Sequence, residues 1–283
     1  MLLAELSNLT KQSILLGWQE ALYNFYMDLS SNGKRLPEDQ RMTDWLFFTH
    51  FNKYENALVF DPGLGTLAFK LNDFFQNVDI ISDCQEEIDY LNTRINQDNT
   101  SQLKTSFAPD LLEHSLLTNH YDLVSLAQTA RPQQIKPFSF TKFANKAYHA
   151  LTANGWFYAT LENKFGFHQL LSKSIEPKRF IAQSLFQYKN DLKNIGFRNT
   201  KFFAHIPFHN GIPLFYLPLD NKAVLSFFFK NIFSIFETVS PEVKAQYKTS
   251  YTLAKLGVKI GGMIKLTHLS KHFFPAFSVL AQK

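Results

Sequence analysis

A single cysteine, Cys84, stands in the 283 residues of this chain. An intrachain disulfide and any multi-cysteine zinc site are thereby excluded, and a reducing compartment is the natural setting. Cys84 itself reads as a small buried hydrophobe. No apolar run reaches the roughly 18 to 20 residues that a bilayer-spanning helix requires. The first thirteen residues, Met1 to Ser13, lack a basic start and are interrupted by Glu5 and Lys11, so no secretory signal is read and a cytoplasmic location is expected. The chain has no Gly-x-x-x-x-Gly-Lys-Ser/Thr loop, no Gly-x-Ser-x-Gly elbow and no zinc-finger spacing. His205 and His209 enclose Pro207, and His268 with His272 has no evident third ligand, so no metal site is expected. Arginine is scarce and the body of the chain is slightly acidic, which argues against a nucleic-acid partner.

Hydrophobic residues, at 45% of this length, can bury a large core, the size of one large domain or of one domain with an elaborated cap. The 30 phenylalanines imply aromatic core layers and an aromatic lining for any pocket. The net charge of +5 is uneven. Residues 222–283 hold nine lysines against Glu237 and Glu242, or +7, whereas the remainder holds 20 basic and 22 acidic residues, or −2.

The stretch Ala57–Phe69 organises the rest. An apolar run of strand length ends in Asp61, passes through Gly63 and Gly65, and re-emerges with helical periodicity from Thr66. Glycines suit such a turn because a residue without a Cβ lets the backbone turn sharply and come close to a ligand. Asn77–Asp83 reads as a second strand ending in an acid, where a nucleotide-binding sheet places the carboxylate that accepts from ribose hydroxyls; Asp83 is the candidate. Tyr121–Leu126 and Leu151–Glu162 read as further strands, and Thr66–Phe75, Glu86–Asn96 and Thr141–Leu151 as helices. This alternation predicts a parallel sheet wrapped by helices, with ligands at the carboxyl ends of its strands. Asp61, Gly63, Asp83, Asp110, Gln128 and Glu162 then fall along one edge. Spacing alone also allows a nicotinamide enzyme.

These residues resemble the class I S-adenosylmethionine-dependent methyltransferases. Phe60-Asp61-Pro62-Gly63-Leu64-Gly65-Thr66 is similar to the first motif of that family, Tyr121-Asp122-Leu123-Val124 to its fourth-strand motif, and Ala150–Trp156 to the glycine turn before its fifth strand. More narrowly, Glu162-Asn163-Lys164-Phe165-Gly166 resembles the Glu-Asn-Arg-Phe-Gly segment of a bacterial subgroup associated with polysaccharide biosynthesis, and Asp44-Trp45-Leu46 and Phe273–Phe277 are loosely similar to it. Leu67, where many relatives have a third glycine, and Pro62 depart from the pattern. The resemblance implies an α/β, Rossmann-like seven-stranded sheet, parallel with one antiparallel strand, carrying N-terminal helices and an inserted helical cap. It also implies S-adenosylmethionine as cofactor, held by Asp61, Gly63, Gly65 and Asp83. Asp110 would meet the adenine amino group if counted back from Tyr121, but falls one residue off if counted forward from the preceding strand. Gln128, ending the fourth strand, is either a cofactor contact or a polar loop residue.

Four parts are expected: an N-terminal helical segment over 1–55, the cofactor-binding core over 56–207, a cap over 208–272, and a final core strand over 273–283. Leu6, Leu9, Ile14, Leu15, Trp18, Leu22 and Phe25 recur at near-helical spacing, and Thr43-Asp44-Trp45 opens a second helix. Asn199–Ile206 and Phe277–Gln282 read as the sixth and seventh strands, and the long segment between them as the cap, with helices over Lys222–Val239 and Pro241–Leu256.

Methyl transfer from a sulfonium is an in-line displacement that needs an oriented acceptor and, for a protonated oxygen or nitrogen, a proton sink. Glu162 and then His168 are the candidates for that work, with Asn163, His205 and His209 facing an acceptor on a small molecule or saccharide. Two other readings stay open. One is a methyltransferase-like scaffold that has lost catalysis. The other is an enzyme in peripheral membrane contact through the Phe-rich cap helix and Lys244, Lys248, Lys255 and Lys259.

Overall fold

The computed structural model describes residues 3–30, 40–51, 54–60, 63–126, 139–166, 181–206, 215–228, 267–274 and 276–283. Its centre is an eight-stranded sheet built from β1 (Asn56–Phe60), β2 (Asn77–Ser82), β3 (Leu103–Phe107), β4 (Tyr121–Leu126), β5 (Leu151–Glu162), β6 (Arg198–Ile206), β7 (Phe215–Pro218) and β8 (Ala276–Gln282), in the order β3-β2-β1-β4-β5-β8-β6-β7. β1 to β5 pair in parallel; β8 runs antiparallel to both β5 and β6, and β7 antiparallel to β6.

The apolar runs form strands because both faces of the sheet are covered. Along β1, Leu58 and Phe60 enter one core and Ala57 and Val59 the other; along β5, Phe157, Ala159 and Leu161 face the first and Trp156 and Tyr158 the second. The first core is closed by α5 (Phe140–Ala150) and α6 (Leu185–Ile195), through Phe140, Phe143, Tyr188 and Leu192. The second is closed by α1 (Leu3–Leu16), α2 (Trp18–Ser30), α3 (Thr66–Leu71), α4 (Gln85–Asp98) and a 3-10 helix over Gln40–Phe48. Each fully buried Phe or Leu contributes about 1.5–3 kcal/mol.

The helix ends follow local chemistry. Ser184 and Gln187 form a reciprocal capping box at the start of α6, which stops at Gly196. Ser139 caps α5 by accepting from the Lys142 N–H. At the edge of the second core, α1 and α2 dock on α4. The Gln97 side chain donates to the Ser13 carbonyl and accepts from the Trp18 N–H, both at 2.8 Å, and Asp98 accepts from the Trp18 indole at 2.6 Å.

Several expectations are corrected. The sheet has eight strands and two reversed ones, because Phe215–Pro218, inside the segment expected to be wholly cap, adds to the β6 edge. Thr43–Trp45 lies inside a 3-10 helix instead of opening an α-helix, and α3 ends at Leu71. α6 was not expected at all. The first expected cap helix begins as α7 (Lys222–Phe227) at the capping residue Asn221, whose side chain accepts from the Ala223 and Val224 N–H groups, and the part expected beyond Phe228 lies outside the described residues. Residues 229–266, with the second cap helix and Lys244, Lys248, Lys255 and Lys259, lie outside the described residues. Among the described residues, no helix is long and apolar enough to cross a membrane.

Candidate functional site

The strand order reverses direction between β1 and β4: β2 and β3 lie to one side of β1, and β4 and β5 to the other. Helices leaving neighbouring strands to opposite sides open a crevice at their carboxyl ends, where sheets of this kind bind ligands. Gly63–Gly65, between β1 and α3, lie at that end of the sheet. Gly63 and Gly65 both take left-handed backbone angles, φ 57° and 90°, and Gly65 begins α3 with no side-chain cap. A Cβ on Gly65 would stand 2.6 Å from Leu91 Cδ2 and 3.0 Å from Phe69 Cδ2, so the glycine is required by both its backbone angle and the packing of α4. The carbonyl of Leu64, between the two glycines, accepts from Arg94 Nη1 of α4 at 3.1 Å.

Asp83 follows β2 directly and is partly exposed. Its neighbours are fixed. The buried Ser82 hydroxyl donates to buried Glu87 Oε2 at 2.8 Å and accepts from the Cys84 N–H at 3.0 Å. Cys84 is half-buried at the start of α4, not fully buried as expected, with its thiol directed at Glu86 Oε2 at 3.4 Å. Burial, supported by the Glu87 and Glu86 charges, pushes the thiol from its ordinary 9.0 to about 12, which keeps it a neutral, unreactive group.

The turn after β3 is tied to β2 by the Ala108 N–H, which donates to the Ser82 carbonyl at 2.8 Å. Asp110 is exposed, and its Oδ1 accepts from the Leu112 N–H at 2.8 Å in a local turn. Lys146 of α5 anchors that turn from below, donating to the carbonyls of Leu111 and Leu112 at 2.9 and 2.8 Å and also to that of His114. Burial lowers the Lys146 pKa, against the pull of Glu113 and Asp110.

β5 is the longest described strand and reaches Glu162. Phe60 of β1 pairs with Leu126 of β4, and Leu126 with Ala159, so Thr160–Glu162 lies beyond the last described residues of β1 and β4, at the carboxyl end of the sheet. Glu162 is partly exposed there, and its carbonyl accepts from the Tyr188 hydroxyl at 2.9 Å. Asn163 is fully buried. Its amide group donates to the carbonyls of His272 and Phe274 at 2.6 and 2.8 Å, and its oxygen accepts from the Phe165 N–H at 3.1 Å. The carboxamide expected to face an acceptor is therefore turned into the chain, where it ties the end of β5 to the segment leading into β8. Nearby, the Trp45 ring stacks on Tyr158 at 3.9 Å, seating the 3-10 helix over β5.

The structure thus brings Gly63, Gly65 and Asp83 to adjacent strand ends and sets Asp110 and Glu162 on the same edge of the sheet. His205 lies in β6 with its backbone opposite Tyr216. Asp61, Gln128, His168 and His209 lie outside the described residues. Sequence reasoning missed Arg94, Glu87 and Lys146. That Arg94 is the one basic residue of α4 was the available signal for it. Among the described residues, no group of three or more His, Cys, Asp or Glu side chains converges as a metal site would require.

No protein-family model and no curated protein matches the chain. Among solved structures, the fold is similar to that of the Haemonchus contortus phosphoethanolamine N-methyltransferase 2 in complex with phosphomonomethylethanolamine and S-adenosylhomocysteine, with a TM-score of 0.54 at 17% identity over 86% of this chain and 52% of that one. The same enzyme in complex with S-adenosyl-L-methionine gives a TM-score of 0.53 at 17% identity, again over 86% and 52%. The chain spans about half the length of these structures. The likeness establishes the methyltransferase type of Rossmann-like fold.

Proposed function

We propose that this protein is an S-adenosylmethionine-dependent methyltransferase acting on an oxygen or nitrogen of a small molecule or saccharide. The observation that carries this reading is the strand order around the glycine turn. A dinucleotide-binding sheet of order 3-2-1-4-5-6 has its sixth strand directly beside the fifth. In this chain the reversed β8 separates β5 from β6, so the nicotinamide reading that spacing allowed loses its support. The chemistry of the strand ends fits the cofactor: a glycine turn that admits close backbone approach, and an acid one strand over for a ribose.

When bound, the sulfonium supplies an electrophilic methyl group. The chain supplies position. The Gly63–Gly65 turn offers its backbone to the ligand, and Asp83, held between the fixed Ser82 and Cys84, accepts from ribose hydroxyls. Asp61, Asp110 and Gln128 complete the cofactor contacts in this proposal. Glu162, at the carboxyl end of β5, orients the acceptor or takes its proton, with His168 as the second such group and His205 and His209 towards the acceptor. Asn163 and Tyr188 keep Glu162 in place. The saccharide preference rests on the resemblance of Glu162–Gly166, and more loosely on that of Asp44–Leu46 and Phe273–Phe277.

The test is transfer of an isotopically labelled methyl group from S-adenosylmethionine to a panel of sugars, amines and hydroxylated small molecules. Labelled product that falls away in Glu162→Gln supports the proposal. A panel without product, from a protein that binds the cofactor, would favour the scaffold reading.

A further inference from the structure

Arg94 is buried to 7% exposure, and its guanidinium lies between the rings of Trp18 and Phe69, 3.8 Å from each centroid. Its Nε stands 3.8 Å from the Asp98 carboxylate, which also accepts from the Trp18 indole. Its Nη1 donates to the Leu64 carbonyl at 3.1 Å. Burying a guanidinium is costly. A leucine or methionine would fill the same space without that cost, so what arginine adds is its polar contacts, the hold on this carbonyl among them.

That carbonyl belongs to the peptide between Leu64 and Gly65, which has a glycine at positive φ on its carboxyl side. A glycine there lets the peptide adopt either orientation at low cost, because Gly65 tolerates both signs of φ. In a planar trans peptide the C=O and the following N–H point in opposite directions. With the Leu64 carbonyl drawn towards α4, the Gly65 N–H must point away from α4.

We propose that Arg94 is a positioning residue: it locks the Leu64–Gly65 peptide so that the Gly65 N–H faces the crevice and is ready for a polar group of the cofactor. Trp18, at the start of α2, holds Arg94 in register. The N-terminal helix pair therefore sets the geometry of the glycine turn without touching the ligand. The inference rests on the S-adenosylmethionine reading for the identity of the ligand, but the lock itself is a property of the free protein.

The experiment has two arms on wild type, Arg94→Met, Arg94→Lys and Trp18→Leu. Calorimetric titration with S-adenosylmethionine, well below each melting temperature, should show roughly tenfold or greater weakening in Arg94→Met, the scale of a lost hydrogen bond to a charged group. Lysine should rescue little, because an ammonium cannot stack flat between two rings while reaching the carbonyl. Asp122→Asn is the control for simple destabilisation. Its carboxylate holds the Glu55 and Asn56 N–H groups at the opposite edge of the sheet, and the substitution should lower stability without changing affinity. The second arm labels leucine carbonyl carbon and glycine nitrogen, which selects the amides of Gly17, Gly65 and Gly257, the glycines that follow leucine. The Gly65 signal should be single and sharp in the free wild type and broadened or doubled in Arg94→Met and Trp18→Leu. An unchanged Gly65 signal, or unchanged affinity in Arg94→Met, overturns the proposal. A wild type that binds no S-adenosylmethionine while the Gly65 signal still depends on Arg94 refutes the ligand reading and leaves the lock standing.

Discussion

Replacing Gly65 by alanine isolates the physical requirement of the turn. Gly65 sits at φ 90°, and an added Cβ would lie 2.6 Å from Leu91 Cδ2 and 3.0 Å from Phe69 Cδ2. The left-handed backbone costs a residue with a Cβ about 1–2 kcal/mol. Overpacking adds about 1–3 kcal/mol, because Leu91 is fully buried and has no solvent to swing into. The sum, about 2–5 kcal/mol, lowers the melting temperature by roughly 4–20 °C for a domain of this size. Differential scanning calorimetry on wild type, Gly65→Ala, Leu91→Ala and the double variant separates the two contributions. Truncating Leu91 alone costs about 2–5 kcal/mol. In the Gly65→Ala background it should cost about 1–3 kcal/mol less, since it removes the collision but not the backbone strain. An unchanged melting temperature in Gly65→Ala, or strict additivity in the cycle, refutes the reasoning.

Asn163→Leu, which keeps the volume, strands the His272 and Phe274 carbonyls and the Phe165 N–H. A cost of about 1–3 kcal/mol per buried group should appear as a lower urea midpoint, and no shift would contradict the brace. Alkaline pH should destabilise the fold. Burial raises Cys84 from 9.0 to about 12 and Tyr158 from 10.0 to about 12, so the unfolded chain loses protons first. Stability is full below pH 9 and falls as the pH rises from there to about 12, and urea titrations across that range should show a shallower fall in Cys84→Ala. The same shift predicts slow alkylation of Cys84 in the folded protein and fast alkylation in urea. Lys146→Met removes the donor shared by the Leu111, Leu112 and His114 carbonyls. Amide hydrogen exchange at Leu112, Glu113 and His114 should quicken while exchange in β1 and β4 stays slow.

The central strands were legible because burial on both faces makes them continuous apolar runs. Ala57–Phe60 and Tyr121–Leu126 are the clearest cases. β3 was weak because it is an edge strand with only Leu103 buried. β7 was hidden by its brevity and by the proline at its end. α6 could have been read from Ser184, Gln187 and Gly196, a start and stop signal obscured by the aromatic run around it. At the site, the positions of the glycine turn and of Asp83 were legible because the pattern is local, strand then turn then helix. Asn163 was misread, since its carboxamide faces chain far away in sequence, at His272 and Phe274. Arg94 could be noticed as the one basic residue of α4, but its role could not be read for the same reason: it depends on Trp18, Leu64 and Phe69 meeting around it.

The most direct test of the account is calorimetric titration of the whole protein with S-adenosylmethionine, S-adenosylhomocysteine and NAD, alongside the Asp83→Ala variant. The account predicts saturable binding of the two sulfur compounds, weakened in Asp83→Ala, and no binding of NAD. Binding of NAD alone, or affinity for S-adenosylmethionine that Asp83→Ala leaves unchanged, would contradict it.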